Sequence, residues 1–287
     1  MSGTDRQQQP PHSQPGPPSP RQPAIVLVEP QLGENIGTTA RAMYNCGLTD
    51  LRLVRPRDGW PNPRAEAAAS GADPVLESVR LFDSVSEAVG DLTRIYATSA
   101  RSRDMVKPVV PPRLAAAEMR ACSRRGETFG VLFGPERTGL TNDHVVLADA
   151  LLAVPLNPAF SSLNLAQAVL LISYEWMLAK DIGKETPQES TDPRSELPVA
   201  GSWPATAAEV DNFLQRMEAE LIDAGFLYPE VKRPIMLRNL RNIFRRARLT
   251  DQEVRTLHGV VRSLSGRRNR RQGAPDAGES DASPKSR

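Results

Sequence analysis

Between residues 24 and 180, short apolar runs alternate with stretches of helical periodicity. The runs AIVLVEP, LRLVRP, TRIYATS, TFGVLFG and ALLAVPL, starting at Ala24, Leu51, Thr93, Thr128 and Ala150, are aliphatic or β-branched and punctuated by Gly, Pro or Ser. Near-continuous apolar runs of this length predict strands buried on both faces. Helix-like segments lie between them, around 36–46, 84–90, 113–123 and 141–147, and a long one starts at Ser162. Strand alternating with helix predicts an α/β domain over 24–180, a parallel sheet with helices on both faces.

The pattern changes after residue 180. Residues 181–204 are polar and broken by prolines, which predicts a linker. From 205 to 266 the periodicity is helical throughout with no strand-like run, so a small all-helical domain is expected. The ends, 1–23 and 267–287, are too poor in apolar residues to offset the entropy of ordering, and both are expected to be disordered tails.

Composition narrows the class. Of 287 residues, 39% are hydrophobic and 24% charged, as in soluble globular proteins. No run of eighteen apolar residues and no signal-like N-terminus is present, so a soluble, cytoplasmic protein is expected. Cys46 and Cys122 form no CxxC pair, and His12, His144 and His258 have no metal-ligand spacing. A reduced compartment without structural metal fits this usage. The net charge is only +2, so any affinity for nucleic acid must come from local basic patches.

The usual nucleotide signatures of α/β domains are missing: there is no GxGxxG after the first strand, no GxxxxGK[ST] and no GxSxG elbow. What the chain has is four unusual strand-end segments. ENIGTTARAM carries Asn35 and Arg41, ATSARSRD carries Arg101 and Arg103, LFGPERTGLT carries Glu136, and VPLNPAFSSLNLAQAV carries Ser162 and Asn164. In an open parallel sheet, ligands sit outside the carboxyl ends of the strands, so these segments share one functional face. The small polar residues opening the last segment can cap the helix they precede. They can equally leave room for a ligand beside backbone N–H donors at a helix N-terminus.

NIGTTARAM, FGPERTGLT and VPLNPAFSSLNLAQAV, in that order and spacing, resemble the three motifs of the SpoU branch of the SPOUT RNA 2′-O-ribose methyltransferases. TSARSR and the helical tail with IFRRARLTDQE narrow the likeness to the bacterial members that act on cytidine or uridine at tRNA nucleotide 32. The resemblance spans about residues 24–265. It implies a trefoil-knotted α/β domain, a homodimer, tRNA as partner and S-adenosylmethionine as methyl donor. By the same resemblance, the cofactor would touch Thr98, Ser99, Ala100, Gly134, Val154, Ser161, Ser162 and Leu163, while Asn35, Arg41, Glu136, Ser162 and Asn164 match catalytic positions. A methyltransferase for ribosomal RNA, or a catalytically silent RNA-binding protein, are the alternatives on the same scaffold.

Methylating a ribose hydroxyl requires its oxygen in line with the sulfonium methyl in a site closed to water. Neutralising a guanidinium to make a base would cost about 7–9 kcal/mol at pH 7. A protonated Arg41 that grips phosphate and stabilises developing alkoxide charge is therefore the expected role. Glu136 is expected to orient backbone or Arg41, since a carboxylate is a weak base toward an alcohol. Asn35 and Asn164 would fix the hydroxyl and the loops. On the RNA side, seven basic residues and no acid lie between Lys232 and Arg248. Arg238, Arg241, Arg245 and Arg248 recur at helical spacing and are expected to meet phosphate, with Met236, Leu240, Ile243 and Ala247 on a docked face. Arg101 and Arg103 would contact RNA from the catalytic side.

Overall fold

The computed structural model describes residues 21–99, 105–160, 162–182 and 202–272. Seven strands form one parallel sheet: β1 (Ala24–Val28), β2 (Leu51–Val54), β3 (Arg80–Phe82), β4 (Arg94–Thr98), β5 (Val109–Val110), β6 (Phe129–Phe133) and β7 (Ala150–Leu152), in the order β3-β2-β1-β6-β4-β7-β5. All pairings are parallel, so every strand's carboxyl end points to the same edge. Five strands are those expected from the apolar runs. β3 and β5 were not expected; both are edge strands of three and two residues, too short to give a periodic signal.

The side chains alternate between two cores, as the two-residue period requires. Ile25, Leu27, Leu51, Leu53, Tyr96, Phe129, Val131, Phe133 and Leu152 pack on one side against α1 (Gly33–Asn45), α2 (Pro63–Ala69), α3 (Asp73–Glu77), α5 (Pro112–Arg124) and α7 (Leu165–Ile182). Ala24, Val26, Val28, Ile95, Ala97, Leu132 and Leu151 pack on the other, where the covering helices α4 (Val85–Val89) and α6 (Asn142–Val145) are short. α1 meets α2 closely at Gly37, where an added Cβ would lie 2.1 Å from the Ala65 carbonyl oxygen, so only glycine fits.

The helical region consists of α8 (Ala207–Asp223), α9 (Arg233–Ala247) and α10 (Asp251–Gln272). Its small core is Val210, Phe213, Leu214 and Val254 with Phe244 and Leu257, and Phe213 meets Phe244 edge-on at 5.0 Å. Thr206 caps α8 in a capping box with Glu209. The start of α8 docks on the α/β domain: Ala207 N–H donates to the Leu92 carbonyl (2.8 Å), Ala208 N–H to Gly90 (3.1 Å), and the Ala207 side chain joins the thinly covered second core. The expected linker and tails lie mostly outside the described residues. None of the described helices is long and apolar enough to cross a membrane.

Candidate active site

Four of the strands end side by side, in the order β1-β6-β4-β7, and the segments that follow them carry the predicted residues. Three of these segments are tied by one run of hydrogen bonds. Asn164 Nδ2 donates to Asn35 Oδ1 (3.2 Å), Asn35 Nδ2 donates to Glu136 Oε1 (2.7 Å), and the Gln31 backbone N–H donates to Glu136 Oε2 (3.0 Å). The segments after β1, β6 and β7 are thereby held together although Asn35 and Asn164 are 129 residues apart in the chain. Each amide is oriented by its partners: Glu136 can only accept, so Asn35 must turn its nitrogen to it and its oxygen toward Asn164.

Asn164 is also the cap of α7. Its Oδ1 accepts from the Ala166 N–H (2.8 Å), and Gln167 Oε1 accepts from the Asn164 N–H (3.1 Å), the reciprocal pattern of a capping box. Of the two expected caps, Asn164 serves; Ser162 is exposed two residues upstream, in a non-helical approach with the half-buried Leu163. Capping the helix and tying it to the segment after β1 thus fall to one side chain.

The segment after β6 closes on itself. A Cβ on Gly134 would lie 2.2 Å from Leu140 N and 2.4 Å from Gly139 C, so this glycine is required by the loop's own backbone. Gly139 turns the chain at φ +65° and donates its N–H to Pro135 (2.8 Å). Beyond it, Thr141 and His144 cap α6 reciprocally, and burial holds His144 below the usual imidazole range, which keeps its Nδ1 free to accept the Thr141 N–H.

The cofactor-assigned residues Thr98, Gly134 and Val154 stand at the ends of β4, β6 and β7, which are adjacent, and they form a run of small or short side chains. Thr98 Oγ1 donates to the Leu132 carbonyl (2.9 Å) and Ser99 N–H to Leu152 (3.1 Å), so backbone contacts fix this wall. Such a wall fits an adenosyl group, because small residues admit it closely. Ala100, Ser161, Arg101 and Arg103 lie outside the described residues.

Arg41 is set apart. It lies on the exposed stripe of α1 with Glu34, Thr38 and Asn45, about a third of a turn from Asn35. Glu136 orients backbone and Asn35, not Arg41, which has no hydrogen-bond or ion-pair partner among the described residues.

Part of the arginine strip of α9 faces inward instead of outward. Arg245 is only 5% exposed; its Nη2 donates to Asp211 Oδ1 at 2.8 Å and to the Ala207 carbonyl at 3.3 Å. Arg241 forks onto Glu218 (2.7 and 3.2 Å), and Arg238 stands 3.5 Å from Asp143 of α6. Of the expected apolar face, Ile243 and Ala247 are exposed. The helical spacing holds, but the carboxylates of α8, seven residues apart at 211 and 218, draw the arginines inward. Arg245 is thus corrected from an RNA contact to a structural ion pair. Arg248 is exposed at the left-handed C-cap of α9, Arg246 is exposed two residues before it, and Lys232 is exposed at the other end of the helix. Among the described residues no group of three or more His, Cys, Asp or Glu side chains is placed to hold a metal.

Two family models match the chain: the SpoU rRNA Methylase family over residues 22–174 and the C-terminal domain of the tRNA methyltransferase TrmJ over residues 208–274. The tRNA (cytidine/uridine/adenosine-2′-O-)-methyltransferase TrmJ of Pseudomonas aeruginosa is 36% identical over 241 residues, covering 83% of this chain and 91% of its own. The tRNA (cytidine/uridine-2′-O-)-methyltransferase TrmJ of Photorhabdus laumondii is 36% identical over 84% of this chain and 95% of its own. The crystal structure of TrmJ from Z. mobilis ZM4 superposes with a TM-score of 0.74 at 45% identity, covering 85% of this chain and 99% of that one.

Proposed function

Since the chain belongs to the SpoU rRNA Methylase family, we propose that it transfers a methyl group from S-adenosylmethionine to the ribose 2′-hydroxyl of cytidine or uridine in tRNA, at nucleotide 32 of the anticodon loop. The match of residues 208–274 to the C-terminal domain of a tRNA methyltransferase favours tRNA over ribosomal RNA as substrate. The observation that carries the reading is the Asn164–Asn35–Glu136–Gln31 run, which joins the three motif segments at the strand ends.

S-adenosylmethionine, when bound, supplies an electrophilic methyl. Thr98, Ser99, Gly134, Val154 and Leu163 would hold it, with Ala100 and Ser161 completing the wall, and Ser162 would sit beside the sugar. Asn35 and Asn164, locked in one amide orientation by their neighbours, position the hydroxyl. Arg41, with no carboxylate partner among the described residues, is available to phosphate and to the charge that develops on the sugar oxygen. Phosphate or solvent takes the proton. Arg248 and Arg238 remain RNA contacts in this reading, with Arg101 and Arg103; Arg241, largely taken by Glu218, contributes less. The trefoil threading would bring the segment after β7 beside the other strand-end segments.

A homodimer belongs to the same reading. α7 buries Val169, Ile172 and Trp176, yet Leu170, Leu171, Tyr174, Met177 and Leu178 on its other side are exposed. A helix apolar on both sides is one that expects a second partner. Neighbouring α1 exposes Tyr44 near Arg41. Sedimentation of the purified chain as a monomer at micromolar concentration would remove this part.

Incubation with methyl-labelled S-adenosylmethionine and total tRNA, followed by mapping of the modified nucleotide, tests the function. Label on the ribose of nucleotide 32 is expected; label on a base, or in ribosomal RNA alone, overturns it.

A further inference from the structure

The contacts of the helical module fix which way it points. At the amino edge of the sheet, Ala207 N–H donates to the Leu92 carbonyl, two residues before β4, and the buried Asn242 of α9 donates to the Val106 carbonyl, three residues before β5. Toward the other edge, Arg238 stands 3.5 Å from Asp143, in the first turn of α6 and just past the segment that leaves the carboxyl end of β6. Asp211 pairs with Arg245 and Glu218 with Arg241, so α8 climbs from the amino edge while α9 descends toward it. The connection between them, residues 224–232, therefore lies on the carboxyl side of the sheet, the side that carries Asn35, Glu136 and Asn164. At 1.5 Å per residue, the helix between Arg238 and Arg233 carries this connection roughly 8 Å beyond Asp143.

The connection holds two aromatic rings out toward solvent. Phe226 is 55% and Tyr228 78% exposed, whereas Leu227 between them is 2% exposed. The backbone beneath is fixed: Gly225 N–H donates to the Ile222 carbonyl (2.9 Å), Phe226 N–H to Leu221 (3.0 Å) and Lys232 N–H to Pro229 (2.9 Å). Rings presented on a pinned support lose little freedom when a ligand lies against them. Glu230, the acid of the connection, is paired with Arg233 (3.2 Å), while Lys232 and, on the loop after β6, Arg137 are exposed with no ion-pair partner among the described residues. Flat rings beside unpaired cations, on the side where the ribose reacts, match an unpaired nucleobase and its phosphate.

We propose that Phe226 and Tyr228 form a stacking platform for an unpaired base of the substrate tRNA near the methylated nucleotide, with Lys232 on the adjoining phosphate. The claim rests on the functional reading above and names the residues through which the module takes part in it. Every base has a π-face, so the platform sets the placement of the loop and not its sequence. The rings contact neither the cofactor nor the reacting oxygen in this scheme.

The test uses the full chain and the variants Tyr228→Leu and Phe226→Leu, which keep apolar bulk but remove the ring, with Tyr228→Phe, which keeps the ring. Methyl transfer to total tRNA gives KM for tRNA at several salt concentrations, calorimetry gives the Kd for S-adenosylmethionine, and sedimentation without RNA gives the size of the assembly. Each Leu variant is expected to raise KM for tRNA about five- to thirtyfold. Tyr228→Phe should stay within about twofold of wild type, as should the cofactor Kd of all three variants. The salt dependence should keep its slope in each, since no phosphate contact is lost. A wild-type KM in both Leu variants overturns the proposal, and so does a Tyr228→Phe variant as impaired as Tyr228→Leu, which would assign the effect to the hydroxyl. Leu variants that sediment as a smaller species than wild type overturn it as well, by making the tip a contact between copies of the chain. All three results leave the function intact. A wild-type chain that transfers no methyl group to tRNA overturns the function and the proposal together.

Discussion

Replacing Gly134 by alanine tests whether the segment after β6 is built as the geometry requires. The new Cβ would lie 2.2 Å from Leu140 N and 2.4 Å from Gly139 C, roughly 1 Å inside the closest ordinary contact. Both obstacles are backbone atoms, so no rotamer change relieves them. The loop must open by about that ångström, and Glu136 moves with it. The Asn35–Glu136 and Gln31–Glu136 hydrogen bonds, now 2.7 and 3.0 Å, would then exceed the length at which a hydrogen bond survives. Overpacking costs about 1–3 kcal/mol. Two partly exposed hydrogen bonds add about 0.5–1 kcal/mol each. A total of about 2–5 kcal/mol corresponds to a drop in Tm of about 4–20 °C for a chain of this size. Gly139→Ala is the control: its Cβ meets nothing within 4 Å, and only its φ of +65° is strained, so the loss should be about 1 kcal/mol. Thermal unfolding and methyl transfer to tRNA are measured on both. Gly134→Ala is expected to melt well below Gly139→Ala and to lose more than tenfold in turnover. If it melted within 2 °C of wild type and stayed active, the account of the loop, and of Glu136 as its clasp, would be wrong.

Arg41→Lys should reduce turnover at least tenfold while tRNA affinity changes little, because an ammonium lacks the planar two-pronged fork; nearly full turnover with unchanged affinity would refute that role. Arg245→Ala leaves the buried Asp211 carboxylate without its partner and should cost about 3–5 kcal/mol in denaturant unfolding. The salt dependence of tRNA binding should not change with it, and a flatter slope would return Arg245 to the RNA-binding set. Lys107 gives a pH signature: burial depresses it to about 8 from 10.5, Arg245 and Arg246 add to the depression, and Asp149 opposes it. The unfolded chain therefore binds more protons than the folded one between about pH 8 and 10.5, and stability should rise with pH across that window, by on the order of 3 kcal/mol. Lys107→Met should lack this rise when both proteins are unfolded chemically at pH 7.5 and pH 10; parallel curves would refute the assignment.

Much of the sheet was legible because strands buried on both faces are continuous apolar runs, and five such runs became β1, β2, β4, β6 and β7. β3 and β5 escaped because pairing with a neighbour, not an internal pattern, makes two or three residues a strand. At the site, Asn35, Glu136 and Asn164 were legible as residues, but their mutual hydrogen bonds join positions more than a hundred residues apart and no local spacing encodes that. Gln31 was missed since it contributes only a backbone N–H. Asn242 and Lys107 had no signal at all, being an ordinary amide and lysine until folding buries them. The arginines of α9 show a different limit. Their period was readable, but which side of the helix faces inward depended on carboxylates in α8, and a strip of cations looks the same whether it awaits phosphate or already has Asp211 and Glu218.

Asn164 gives its oxygen to the first turn of α7 and its nitrogen to Asn35. The tie between the strand-end segments and the cap of that helix therefore share one side chain. Moving Asn164 aside disturbs the leading end of an 18-residue helix packed against α1 and α5. Parting the two asparagines and fraying the head of α7 are thus one event, so whatever separates the strand-end segments at Asn35 must also loosen that helix end.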